Sequence, residues 1–225
     1  MAEQQNGFPT KAGRGSQGKV QNLKRNKDPL DIRNFYREVI GIEDEDTLDF
    51  FEQNTRYTTY YKGDIFIHAG EPASTLRFIL SGVSSGYYLD ENGLDHTICL
   101  SYRFGEPLLG APTLSSLTQI YMDALTDLEV LELPVSAVME SFSKNLQNVS
   151  IYEQLLDNDR YKEYDQHIAL STLEGRDRYL WFCDRYREII DIVPQSLIAS
   201  FLGIRPQSLS RIKRQLREER KQNND

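Results

Sequence analysis

Residues 195–214 run Gln-Ser-Leu-Ile-Ala-Ser-Phe-Leu-Gly-Ile-Arg-Pro-Gln-Ser-Leu-Ser-Arg-Ile-Lys-Arg, and few folds of a chain satisfy that spacing. Two helices that cross closely need a small residue at the crossing, and Ala199 supplies it. Four residues later the turn between them needs a positive φ, which Gly203 adopts without a Cβ clash. Ile198, Leu202, Ile204, Leu209 and Ile212 fall at the offsets of one shared core. Pro206 suits the first turn of the second helix, where its missing N–H costs nothing. A plain helical hairpin with a glycine turn has no reason to meet all of these conditions and also to turn its cations outward. The stretch from about Pro194 to Arg214 therefore reads as a helix-turn-helix.

In such an element the second helix enters the major groove of double-stranded DNA by its N-terminal residues. Gln207 suits adenine and Arg211 suits guanine as bidentate partners. Ser208 and Ser210 add hydrogen-bonding groups, and Arg205, Lys213 and Arg214 suit phosphates.

A net charge of −8 argues against a nucleic-acid partner until its distribution is drawn. The first 27 residues carry six cations against one acid, and residues 194–225 carry seven against three, which leaves −17 for the stretch between. An acidic body with a basic end is repelled by phosphate everywhere except at that end, which orients docking.

Residues 1–27 are rich in Gly, Gln, Asn, Ser, Lys and Arg and are expected to form a disordered, solubilising tail. Between Asp31 and Phe51 apolar residues at helical spacing (Ile32, Phe35, Tyr36, Val39, Ile40, Leu48, Phe51) predict one or two short helices. From Arg56 to Leu133 short β-rich runs alternate with turn signals such as Lys62-Gly63-Asp64, Ala69-Gly70-Glu71-Pro72 and Ser81-Gly82, which predicts a small antiparallel barrel or sandwich. Asn92-Gly93 predicts a hairpin, because both residues tolerate positive φ. After Pro134 the texture turns helical. Leu146, Val149, Tyr152, Leu156, Tyr164 and Ile168 lie near one side of a helix of roughly 25–30 residues, and a second copy of the chain would cover that stripe. Ser171-Thr172-Leu173-Glu174 reads as a capping box that starts a new helix, with a hinge at about Leu170.

A β-rich domain, a long helix and a C-terminal helix-turn-helix, in that order, resemble the Crp/Fnr family of bacterial transcription regulators from about Asp28 onward. Lys62 to Phe66, Gly70 to Ala73 and Leu76 to Gly82 look like the opening of that family's cyclic-nucleotide-binding β-roll. Asp90-Glu91-Asn92-Gly93 looks like its central hairpin, and Phe104-Gly105-Glu106 like the start of its phosphate-binding cassette. Arg178-Tyr179-Leu180 looks like a subgroup whose effectors are unassigned.

The resemblance implies an α+β chain. Its parts would be a basic tail (1–27), an antiparallel β-roll sensor of the jelly-roll type (28–140), a dimerisation helix (141–170) and a helix-turn-helix DNA-binding domain (171–225). It implies a homodimeric, sequence-specific regulator with a small-molecule effector near Gly105, Glu106, Thr118 and Gln119, and it admits RNA polymerase as a partner.

Two departures stand out. Nucleotide-binding members place an arginine where Thr118 stands. A hydroxyl cannot offer the charge-assisted fork that a phosphate favours, and Glu106 with no neighbouring cation would repel one, so cyclic AMP is not the expected effector. Only 14 residues follow Arg211, and Arg217 to Asp225 are almost wholly polar, so the family's two-stranded wing is not expected and the last helix should run on.

Other chemistries find little support. An iron–sulfur cluster needs a set of cysteines that two distant ones, Cys99 and Cys183, cannot supply. No motif singles out His68, His96 or His167 as a haem ligand, so no cofactor or metal is expected. No nucleophile–base pair, phosphate loop or metal spacing marks an enzyme. No apolar run of 18 residues and no signal stretch occurs, so a cytoplasmic protein with reduced thiols and no membrane contact is expected. The competing reading is a β-roll ligand-binding or protein-interaction module that does not act on DNA.

Overall fold

The computed structural model describes residues 31–222; the expected tail at 1–27 lies outside them. Asp31 caps the first helix, α1 (Ile32–Phe35), by accepting from the Asn34 amide at 2.9 Å. The helix widens into a π-turn at Tyr36–Ile40. Asp44 caps α2 (Glu45–Asn54), accepting from the Thr47 amide and hydroxyl. Glu45 and Asp46 sit in the first turn of α2, where their charge complements the helix dipole.

Eight strands follow: β1 (Arg56–Tyr60), β2 (Ile65–Ile67), β3 (Thr75–Ser81), β4 (Ser84–Leu89), β5 (Asp95–Ser101), β6 (Pro107–Leu108), β7 (Tyr121–Ala124) and β8 (Leu128–Pro134). They form two antiparallel four-stranded sheets, ordered β1-β8-β3-β6 and β2-β7-β4-β5. The strand period of two explains how the first sheet is buried on both faces. Leu76, Phe78 and Leu80 of β3, with Leu131 and Leu133 of β8, turn toward Phe35, Tyr36, Leu48 and Phe51 of the N-terminal helices. Ile79, Leu128 and Val130 turn the other way, into the roll, against Phe66, Leu108 and Met122.

The helical half comprises α3 (Val135–Lys144), α4 (Gln147–Thr172), α5 (Gly175–Arg185), α6 (Gln195–Phe201) and α7 (Pro206–Gln222). A third core gathers Tyr179, Phe182, Ile189, Val193, Phe201 and Leu202 and continues onto Val83 and Leu100 of the β-roll. The two halves are also joined by backbone. The Ser200 hydroxyl of α6 accepts from the Thr97 amide at 3.0 Å and donates to the Asp95 carbonyl, covering the free edge of β5.

The expected hairpin joins β4 to β5, with Gly93 at a positive φ of 77°. The Asp90 carboxylate accepts from the Asn92 and Leu94 amides and holds its loop. Two local expectations are corrected. Ser171 and Thr172 do not cap a new helix. Their hydroxyls bond back to the Ile168 and His167 carbonyls in the last turn of α4, and the chain breaks at Leu173, not Leu170. Tyr152, expected on the dimer stripe, packs with Ile151 and Leu155 against the core of the N-terminal helices, because the start of α4 leans on its own domain.

Candidate nucleic-acid interface and effector cavity

α6 and α7 meet as the sequence spacing demands. Ile198, Ala199, Leu202, Leu209 and Ile212 are buried between them, and Gly203 turns the chain at φ 63°. The Ile204 amide donates to the Ala199 carbonyl at 3.0 Å, which tightens the turn. Arg178 of α5 clamps the same turn. Its Nε donates to the Leu173 carbonyl at 2.8 Å and its Nη1 to the Leu202 carbonyl at 3.2 Å, both of them carbonyls at helix ends.

With Leu209 and Ile212 held inward, helical geometry turns Gln207, Ser210, Arg211 and Arg214 outward together, and all four are exposed. Arg205 is exposed in the turn just before them. Ser208 is half-buried. Lys213 is half-buried too and lies on the side of α7 that faces α5. Glu218, one turn beyond Arg214, brings the cationic stretch on the outward side to an end. No wing strand occurs among the described residues; α7 runs unbroken to Gln222.

Glu106 begins the cassette-like loop. Gly105 precedes it at φ 78°, where any Cβ would also lie 2.4 Å from Val39 Cγ1. The Glu106 carboxylate is buried and fully engaged. Oε2 accepts from the Tyr102 and Arg103 amides at 3.1 and 3.0 Å, and Oε1 accepts from Lys162 Nζ of α4 at 2.7 Å. The expectation that no cation offsets Glu106 is therefore overturned, because the long helix brings one from 56 residues away.

Around this pair lies a cavity of about 280 Å³ between the β-roll and α4, with Cys99, Asp159, Glu163, Gln166 and Tyr186 in its walls. Burial pushes the Asp159 carboxyl above the usual carboxylate range, and Glu163 and Glu106 push it further against the pull of Lys162. Burial likewise lifts the Cys99 thiol to about 12, so it stays protonated at neutral pH. Lys162, the one lysine or arginine in the walls, is already spent on Glu106, and three carboxylates surround the space, so the charge of the walls disfavours an anion.

The four expected effector residues do not converge. Only Glu106 lines this cavity. Thr118 lines a smaller one of about 110 Å³, and its hydroxyl bonds the His68 and Glu71 carbonyls, pinning the β2–β3 loop. Gln119 is exposed, and its amide donates to the Gly110 carbonyl. Reading the sequence missed Asp159, Lys162, Glu163 and Gln166. The signal available was the run of charge from Asp157 to Arg160, which interrupts the apolar stripe and marks a helix facing something polar.

No protein-family model matches the sequence, and no curated protein does. Solved structures do match. FixK2 from Bradyrhizobium japonicum superposes with a TM-score of 0.64 at 17% identity over 73% of this chain and 85% of that one. A structure described as a transcriptional regulator of the crp/fnr family from Eubacterium rectale gives 0.62 at 16% identity over 78% and 84%. The chain has the Crp/Fnr fold. CLP from Xanthomonas campestris, described as a c-di-GMP responsive global regulator, shares this fold with a TM-score of 0.59 at 16% identity over 78% and 93%. In the Crp/Fnr fold of this chain no helix among the described residues is long and apolar enough to cross a membrane.

Proposed function

We propose that the chain is a homodimeric, sequence-specific DNA-binding transcription regulator of the cytoplasm, with a small-molecule effector site between its β-roll and its long helix. The observation that carries this reading is the one-sidedness of α7. Leu209 and Ile212 lock one side against α6, while Gln207, Ser210, Arg211 and Arg214 stand exposed on the other. Gln207 and Arg211 would read base edges, and Arg205, Lys213 and Arg214 would meet phosphates. Without a wing, α7 carries most of the contacts.

Dimerisation is supported by what α4 leaves uncovered. Of its 26 residues only Asn148 and Ala169 are buried. Tyr161, Tyr164 and Ile168 are exposed by 74%, 65% and 43%. They lie on the side opposite Asp159, Lys162 and Gln166, so one helix would face the effector with one side and its partner with the other. A two-fold dimer would also place two copies of α7 for successive major grooves.

The effector would not be a cyclic nucleotide, because the cavity offers a phosphate three carboxylates and no lysine or arginine that is free of a partner. A neutral or cationic ligand fits the same walls. Tyr186, from the DNA-binding half, closes one wall, so a bound ligand would touch all three parts of the chain.

Selection of bound sequences from a random duplex pool tests the reading. The expected product is a two-fold symmetric site with half-sites about one helical turn apart. A pool that gains no consensus would favour a module that does not act on DNA. Sedimentation of the chain as a 26.0 kDa monomer at micromolar concentration, with and without duplex, would remove the dimer.

A further inference from the structure

Behind the outward side of α7, between it and α5, runs an open groove of about 530 Å³ that the DNA-reading proposal uses at Lys213 alone. Its floor is apolar: Tyr179, Leu180, Ile190 and Leu216. Leu180 remains 37% exposed. Its rim is cationic: Arg187, Lys213, Arg217 and Arg220 face a single acid, Asp184. Asp184 is already bonded to Arg187 at 2.9 Å. Among the described residues no ion pair holds Lys213, Arg217 or Arg220. Arg217 and Arg220 also bear electrostatically on the Tyr179 hydroxyl, and Lys213 and Arg220 on the Cys183 thiol, so their charge is directed over the floor.

We propose that this groove docks an acidic amphipathic helix of a partner protein. DNA accounts for the rim but not for the floor, since a phosphate backbone has no apolar surface to lay on Leu180 and Leu216. A small ligand accounts for neither, because the groove is open and its cations stand on long side chains around its edge. A helix with a leucine or aromatic stripe fills a trough between two packed helices, and carboxylates flanking that stripe meet the rim. The chain's own N-terminal 27 residues, at net +5, have the wrong sign for the site. A regulator that holds DNA with one side of α7 would thereby present the adjoining side to a second protein.

The test uses the full-length chain and a fluorescein-labelled 16-residue peptide with Leu and Phe at helical i, i+3/i+4 and i+7 spacing and Glu on its flanks. A second peptide keeps the apolar stripe and replaces Glu by Lys. Anisotropy titrations should show saturable binding of the acidic peptide and at least tenfold weaker binding of the lysine one. Leu180→Glu and Arg220→Glu should each weaken the acidic peptide at least fivefold. Neither should change affinity for the selected duplex by more than twofold. Equal binding of both peptides, or no binding of the acidic one at 1 mM, overturns the proposal. So does an equal loss of duplex and peptide in Leu180→Glu, which would assign the groove to DNA. Circular dichroism of both variants keeps the reading independent of unfolding.

Discussion

Lys162 Nζ of the long helix stands 2.7 Å from Glu106 Oε1 at the head of the cassette-like loop, and this pair fastens the long helix to the β-roll. Glu106 is 6% exposed and Lys162 29%. Lys162→Met would strand a buried carboxylate. The expected cost is about 3 kcal/mol, the low end for breaking a buried pair, since Lys162 keeps some water. Urea unfolding measures it. The double variant Glu106→Gln/Lys162→Met should recover most of the loss, and a double variant as unstable as the single one would show that the pair is not what holds the two elements.

Gly203 turns the helix-turn-helix at φ 63°, and a Cβ there would meet nothing closer than Arg178 Nη1 at 3.8 Å. Gly203→Ala therefore suffers backbone strain without a clash. The expected cost is about 1 kcal/mol, or a fall in Tm of about 2–4 °C for a chain of this size, read by calorimetry. An unchanged Tm would contradict the turn geometry.

Thr118 holds two carbonyls of the β2–β3 loop with one hydroxyl. Thr118→Val keeps the shape and removes the donor, so stability should fall by about 1–2 kcal/mol. Isothermal titration should find no binding of cyclic AMP to either form. Heat of binding with the wild type at micromolar concentration would overturn the assignment of the cavity as hostile to anions.

Asp159 gives a pH signature. Burial raises its pKa in the folded chain, so the folded state holds this proton more tightly than the unfolded one. The stability it contributes is complete below the unfolded value of about 3.9 and is lost as pH rises through the raised value. Asp159→Asn removes that loss. Unfolding measured from pH 4 to pH 7 should show the variant gaining on the wild type through this window and level above it. A difference that does not vary with pH would contradict the burial of this carboxyl.

The helix-turn-helix was legible because each constraint on it is local. Ala199, Gly203 and Pro206 are fixed by backbone geometry within a dozen residues, and Leu209 and Ile212 by helical period. The β-roll was legible from its turn signals for the same reason. Most of what failed depends on contacts distant in sequence. Lys162 finds Glu106 across 56 residues, and nothing in the spacing of either announces it. Thr118 reads as a lost arginine in sequence but serves as a loop pin in the fold, because its partners are backbone carbonyls of a neighbouring loop. Ser171 and Thr172 carry a cap pattern, yet the preceding helix claims their hydroxyls first.

Arg211 tests the central claim most directly. The measurement is equilibrium binding of the wild type and Arg211→Ala to two duplexes, the selected site and the same site with its contacted guanine replaced. The wild type should lose about 1–3 kcal/mol on the altered duplex, while Arg211→Ala should bind both duplexes alike at the weaker affinity. Equal discrimination by both proteins would contradict a base-reading role for this side of α7.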